Sequence, residues 1–556
     1  MCSRAPTVMD KIGWHMIASS PLKPRLLLRT LKNLNTTKNK FILMKNSLYL
    51  SIAFIALFMS SCKKGDLDLV PTDKLSPTTF WKTEADASAA ITGCYSALWD
   101  VTSQVQPYLE VLTPNAYSEY PWEGWKNIAL SAQSPTDLGG FGGVYKGAYA
   151  GIAATNNFLG NIESVTMPEA SKNVMKGEAR FLRAYYYSIL ANYWGGVPLL
   201  LEKTDLNQRN MPKSTKDEVV AQIIKDLEIA APLLPATPAQ KGRITKGAAL
   251  ALKTRVLLYN KRWAEAATAA QSVMAMSYSL FPDYRGLFTE ASENNQEVIF
   301  DVQFLAPKYA TNWDTYIGIY DPALSPGWSS IEPTQDLVDE YEMKDGTIYS
   351  PSNPAADSAD PNNNRDPRLD QTLFRKGVLY NSKPYPVSAD GWPGVYTGYS
   401  FKKYTVYDNT TSTSVSDNQS QINGIVLRYA DILLMYAEAK NEASGPDQSV
   451  YDAINMVRNR SSIKMPPLPA GLSQETMRQR IRHERRIEFA GEGLYYSDVK
   501  RWGIAETVLN RAIKLNGAQK KGAIEQRVFR AGRDYLMPFS QNDIDSDPNL
   551  VQNPGY

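Results

Sequence analysis

Two carboxylates, Glu484 and Glu488, stand about one helical turn apart in the segment 477–503, M-R-Q-R-I-R-H-E-R-R-I-E-F-A-G-E-G-L-Y-Y-S-D-V-K-R-W-G. A pair of acids is the equipment of glycoside hydrolysis, one acting as acid and the other as base or nucleophile. The setting argues for a different role. At helical spacing Met477, Ile481, Glu484 and Glu488 share one stripe, so the acids lie on a partly apolar face. A buried carboxylate is costly without a cation beside it. Arg485 lies three residues from Glu488, whereas Arg482 and Arg486 repel each other, so part of the compensation is expected from another helix. Arginine-rich surroundings keep both acids ionised, and a general acid needs a raised pKa. His483 sits among the same arginines without a second ligand. The sequence holds no G-x-S-x-G, H-E-x-x-H, P-loop or Gly-rich dinucleotide turn. No catalytic residue, metal or cofactor is expected.

The other residues with chemistry to offer are aromatic. Tyr and Trp number 43 against 16 Phe. That skew favours rings carrying a polar handle, which suit surfaces facing water or a ligand. Trp81, Trp99, Trp194, Trp263 and Trp502 fall in or beside helical patterns and are expected in the core. Trp122, Trp125, Trp313, Trp328 and Trp392 fall in loops. The cluster Asn115, Tyr117, Tyr120, Trp122 and Trp125 combines flat rings with polar groups and is the leading candidate for a ligand-binding site, with Trp313, Trp328 and Trp392 as further candidates.

These loops must be carried by something rigid. Helical patterns run over about 84–99, 144–163, 170–194, 214–231, 245–260, 263–276, 426–443, 449–460 and from Ser473 onward. The pair 245–260 and 263–276 places large residues on one helix and Ala266, Ala267 and Ala270 on the other, close to a tetratricopeptide unit. About four such degenerate pairs are expected, wrapped into a globule. Arg180 and Arg183 are candidates to supply cations to other helices, and Cys94 is expected as a small core residue of the first helix. Between the helical blocks lie two stretches rich in Pro, Gly and aromatics, 101–141 and 281–425. A loop as long as the first is functional or disordered, and its many rings speak against disorder.

Several strings resemble the SusD/RagB family. Arg485, Glu488, Glu492, Gly493, Tyr495, Asp498, Arg501 and Trp502 match its R-x-x-E, E-G-x-R/Y, D-x-x-R-W run. The string E-A-R-F-L-R-A-Y-Y-Y-S-I-L-A-N-Y-W-G-G-V-P, the turn Arg365 to Leu369, the helix L-R-Y-A-D-I-L-L-M-Y-A-E-A and the tail N-L-V-Q-N-P-G-Y are similar to others. The turn also bears on a calcium reading of 361–370, which lacks the alternating acidic ligands and terminal Glu. The resemblance implies a mostly α, SusD-like fold with a tetratricopeptide-like scaffold over about 75–100, 144–276 and 426–503. It implies a surface lipoprotein that captures oligo- or polysaccharide and hands it to a SusC-like TonB-dependent transporter, without a reaction. A surface glycoside hydrolase with a helical core, and a binder of peptides or other non-sugar cargo, stand as alternatives.

The N-terminus bears on location. Met44, Lys45 and Asn46 open a positive region, the run 48–59 is apolar but too short to span a bilayer permanently, and Ser60 and Ser61 precede Cys62. This reads as a signal peptide over 44–61; Cys62 resembles a lipobox cysteine that becomes acylated, and the family resemblance implies that it anchors the 62–556 domain in the outer membrane, facing the cell surface. Residues 1–43 are expected to be a mis-assigned upstream segment. Net charge is +3, but residues 1–61 hold nine Lys/Arg and one Asp, which leaves 51 basic and 56 acidic side chains beyond them. A mildly acidic domain is a poor nucleic-acid partner.

Overall fold

The computed structural model describes residues 80–103, 105–203, 210–321, 325–357, 359–385, 396–410, 415–515 and 522–556. The expectations for 1–43, the signal peptide and Cys62, and that for Trp392, lie outside the described residues. All described residues belong to the unit Pro77–Tyr556.

Local sequence sets the helix ends. Thr83 caps α1 (Glu84–Tyr95) in a reciprocal box in which the Asp86 N–H donates to the Thr83 hydroxyl and the Thr83 N–H to the Asp86 carboxylate. The helix expected over 84–99 is divided at Ser96, and α2 (Ala97–Thr102) continues three residues further. Cys94 is buried on α1, and burial pushes its thiol up to about 12. After the first loop region come α3 (Gly142–Asn161), α4 (Glu169–Tyr193) and α5 (Lys216–Leu233). The cap of α5 is Thr215, boxed with Glu218, one residue after the expected start at 214, and Pro232 is accommodated in the last turn. Thr245 caps α6 (Lys246–Tyr259), followed by α7 (Trp263–Met274).

These helices stack in succession. α3 and α5 both pack on α4, α6 packs on α5 and α7, and α7 packs on α8 (Tyr429–Ser444). α8 in turn packs on α9 (Gln448–Arg458) and α10 (Gln474–Glu488), with the short α11 (Tyr495–Arg501) beyond. The small buried face of α7, Ala266, Ala267, Ala269 and Ala270, lets its neighbours approach closely, as the helical-pair pattern predicts. Arg180 and Arg183 of α4 both reach Asp226 of α5 at 2.8 Å. The C-terminal tail closes over the end of α4: the Asn553 amide donates to the Trp194 carbonyl at 3.0 Å and to that of Met537 at 2.8 Å.

Strands are short and two-stranded throughout the described residues: β1 (Ala116–Tyr117), β2 (Val298–Val302), β3 (Glu332–Pro333), β4 (Gly424–Arg428), β5 (Ala512–Leu515) and β6 (Ala523–Gln526) are the ones that matter below. β4 pairs antiparallel with β2 and brings the far end of the 281–425 region back to the scaffold. The helix expected from 426 therefore starts at Tyr429. An apolar run as short as Ile425 to Leu427 fits either strand or helix by pattern, and pairing decides it.

Candidate functional site

The carboxylate pair of α10 is sealed inside a lattice of arginines. Glu484 accepts from Arg368 at 2.6 Å and from Arg458 at 2.8 Å. Glu488 accepts from Arg368 at 3.0 Å and from Arg428 and Arg460 at 2.8 Å each. Arg428 also bridges Glu297 and Glu492, and Lys403 completes Glu492 at 2.9 Å. Every one of these side chains is buried. The cations come from the start of a short helix (Arg368–Thr372), strand β4, the end of α9 at Arg458 and the turn after it at Arg460, as a mostly non-local compensation requires. Arg485, expected beside Glu488, turns instead to Asp431 and Asp498. Burial alone would raise these acids. The arginine charges outweigh it and hold both Glu484 and Glu488 down at about 2. They are permanently ionised and shut away from solvent, which suits a structural lattice and not proton transfer. His483 is partly buried, with Nε2 2.8 Å from the Glu340 carbonyl oxygen. Among the described residues no group of three or more His, Cys, Asp or Glu is placed to hold a metal ion.

The aromatic loops are brought together by backbone. β1 pairs antiparallel with β3, Ala116 facing Pro333 and Tyr117 facing Glu332, so the loops at 113–125 and 325–333 run side by side. The root of the first loop is fixed from below. Asn115 donates to Glu110 at 3.0 Å and accepts from Arg486 of α10 at 2.9 Å, while Glu110 accepts the N–H groups of Gly491 and Gly493. Above that root, a 3₁₀ turn Pro121–Glu123 carries Trp122 outward. Gly124 ends the turn at φ +83°, packed so closely on Gly139 and Gly140 that a Cβ would meet their backbone at 2.6–2.7 Å. Only glycine satisfies both conditions.

The result is an aromatic ridge. Trp122 is 76% exposed and tilts against Tyr120, centroids 4.9 Å apart. The Tyr120 hydroxyl donates to the Trp328 carbonyl at 3.0 Å, tying the two loops. Trp328 is 38% exposed and lies 5.8 Å from Tyr316, whose ring is 5.2 Å from Tyr108. Polar groups flank the rings. Ser330 donates to Glu123 at 2.7 Å, Thr315 to Asp417 at 3.1 Å, and Asn312 lies 3.4 Å from the Tyr316 hydroxyl. Burial pushes the Glu123 carboxyl up to about 7, against the hydrogen bonds from Ser330 and its neighbours.

The sequence candidates thus separate. Trp122 and Trp328 present surface. Tyr120 is buried at 4% exposure and serves as the strut between them. Trp125 is inside: it stacks on Tyr108 at 5.5 Å and 10°, and Gly140 lies against its ring. Trp313 is fully buried, donating from Nε1 to the Ser103 carbonyl at 2.6 Å, and Tyr117 and Asn115 are buried as well. For Trp125, Trp313, Tyr117 and Asn115 the structure therefore replaces an expected ligand contact with a supporting position under the ridge, because each ring or amide is spent on packing. Tyr316, Asn312 and Asp417 join the ridge without having been singled out. Tyr316 and Asn312 lie in or beside the five-residue helix Trp313–Ile317, which is too short for a sequence period to single them out.

Residues 296–556 match the family model described as "SusD family", and residues 67–258 match one described as "Starch-binding associating with outer membrane". A SusD-like protein of Formosa agariphila is 27% identical over 531 residues, covering 91% of this chain and 99% of its own length. A SusD-like carbohydrate binding protein of Bacteroides fragilis, known by crystal structure, is 30% identical with a TM-score of 0.76, covering 85% of this chain and all of its own. A second SusD-like crystal structure from that species superposes with a TM-score of 0.77 at 28% identity, covering 88% of this chain and all of its own. With its mostly α scaffold, buried arginine lattice and matches along both halves, the chain belongs to the SusD family.

Proposed function

We propose that this protein is a cell-surface glycan-capture protein. An oligo- or polysaccharide lies across Trp122 and Trp328, with Glu123, Asn312 and Asp417 taking its hydroxyls. The observation that carries the reading is the exposure of Trp122, 76% for the largest apolar side chain, held rigid by Tyr120 and Gly124. Together with the exposed Trp328 and the polar groups around it, such a ring makes the kind of polar-rimmed apolar surface that marks an interaction site. The Bacteroides fragilis relative named a carbohydrate binding protein supports the cargo class, and the family description naming the outer membrane supports the location. Within this proposal Cys62 carries the lipid anchor and a SusC-like TonB-dependent transporter receives the glycan. The described residues contain no helix long and apolar enough to cross a membrane. Binding without hydrolysis is favoured over the hydrolase alternative by the sealed, ionised state of Glu484 and Glu488.

The test is affinity electrophoresis of the soluble chain from Gly65 onward through gels holding different polysaccharides, with reducing-end release assayed in parallel. Retardation by a glycan without sugar release is the expected result. Sugar release overturns the binding-only reading, and absence of retardation by every glycan shifts the ridge to non-sugar cargo.

A further inference from the structure

A cavity of about 400 Å³ lies inside the helical scaffold, walled by α2, α4, α5, α6 and α11. None of the ridge residues lines it. At about 30 Å³ per water it has room for roughly a dozen waters, within the size range of small-molecule pockets. Its wall is largely apolar, with Val105, Ile189, Val220, Ile223, Leu252 and Val256, and it also carries the ion-paired Arg255, Arg428, Asp431, Glu492 and Arg501. The exposed Lys216 and Lys261 stand on its rim, with the partly buried Lys500 inside them.

Lys500 is the anomaly. The ammonium lies over the rings of Tyr193 at 5.5 Å and Tyr496 at 4.9 Å, and among the described residues it has no carboxylate at ion-pair distance. The acids that line the cavity are already engaged, Asp431 by Arg255 and Arg485 and Glu492 by Arg428 and Lys403. Burial, and then repulsion from Lys216, pull the Lys500 ammonium down to about 7. A half-buried cation of this kind is normally paired. A largely apolar chamber that holds three lysines at its mouth and whose acids are all paired is complementary to a molecule with an apolar body and one anionic end.

We infer that this cavity binds an amphipathic monocarboxylate, its carboxylate at Lys500 between Lys216 and Lys261 and its apolar body along Ile189, Val220, Ile223 and Val256. The site is separate from the glycan ridge and does not rest on that reading.

Dodecanoate serves as the probe, titrated calorimetrically below its micelle-forming range, with dodecanol as the headless control. Wild-type protein is expected to bind dodecanoate saturably at one site per chain. Lys500→Met, which keeps the stem and removes the charge, is expected to weaken binding at least tenfold. Lys500→Arg is expected to retain it, Val256→Trp to abolish it by filling the chamber, and Trp122→Ala to leave it unchanged. No saturable binding by the wild-type chain overturns the inference, as does equal binding by Lys500→Met or by Val256→Trp. Should Lys500→Met fail to fold, judged by its melting curve, dodecanol decides the headgroup question. It must bind the wild-type chain at least tenfold more weakly than dodecanoate, and equal binding refutes the lysine mouth.

Discussion

Truncating Trp122 to alanine separates a binding ridge from a structural one. A tryptophan side chain presents up to about 250 Å², and 76% of Trp122 is open to solvent. That leaves about 190 Å², of which a sugar laid on one face covers about half. At about 25 cal/mol per Å² the covered face contributes about 2.4 kcal/mol, or about a 50-fold loss of affinity on truncation. Trp328 is half as exposed, so Trp328→Ala should lose about 1.2 kcal/mol, roughly sevenfold. Trp125→Ala acts on another axis. Its ring is packed between Tyr108, Phe141 and Gly140, so truncation leaves a cavity costing about 3–5 kcal/mol of stability. The assay is retardation in gels of the glycan that binds wild-type protein, with calorimetric melting of each variant. Trp122→Ala should melt as wild type and bind weakly, and Trp125→Ala should melt early. The reasoning fails if Trp122→Ala binds within about twofold of wild type, or if Trp125→Ala loses affinity while melting normally.

Other outcomes follow from the charged interior. Glu488→Gln leaves Arg368, Arg428 and Arg460 without a shared anion and should cost about 3–5 kcal/mol in urea unfolding. The wild-type chain and the variant should both release no sugar. Glu484, Glu488 and Asp431 all sit at about 2 in the folded chain, below their ordinary values of 4.5, 4.5 and 3.8. The stability they confer is complete above that ordinary range and drains away as pH falls from about 4.5 to about 2. Acid unfolding followed by circular dichroism should therefore begin in that window, and a flat stability profile there would contradict the lattice. Glu123 has the opposite sign. Its carboxyl, raised to about 7, keeps a proton that the unfolded chain has lost, so its contribution falls as pH rises from about 4.5 to 7. Glu123→Gln should melt higher than wild type at pH 8 and equal to it at pH 4, and a melting difference independent of pH would refute this.

The helical scaffold was readable because its signals are local. The start at Ser473 and the alanine face of α7 each act within a few residues. The lattice was half readable. The helix itself announced that Glu484 and Glu488 needed cations, but Arg368, Arg428 and Arg460 lie 116, 60 and 28 residues from the acids they meet. Only the folded path reveals such partners. The site shows the same boundary within one loop. Trp122 and Trp125 are three residues apart and chemically identical, yet one faces water and the other faces Tyr108. What separates them is the contact of Gly124 with Gly139 and Gly140, which pulls Trp125 under the turn. Likewise Trp313 is fully buried while Tyr316, three residues on, is partly exposed, in a helix of five residues that is too short to show a period.

The arginine lattice has a consequence for the medium in which the protein can work. Exposed ion pairs weaken as dissolved electrolyte gathers around them, whereas pairs closed off from solvent are screened much less. Here the charges that tie 366–368, 428, 458–460 and 484–492 into one body are all buried. The two rings offered at the ridge carry no charge at all. Brackish or strongly saline surroundings should therefore leave the framework intact, and on the proposed reading they should leave the stacking of a neutral sugar on the two rings intact as well.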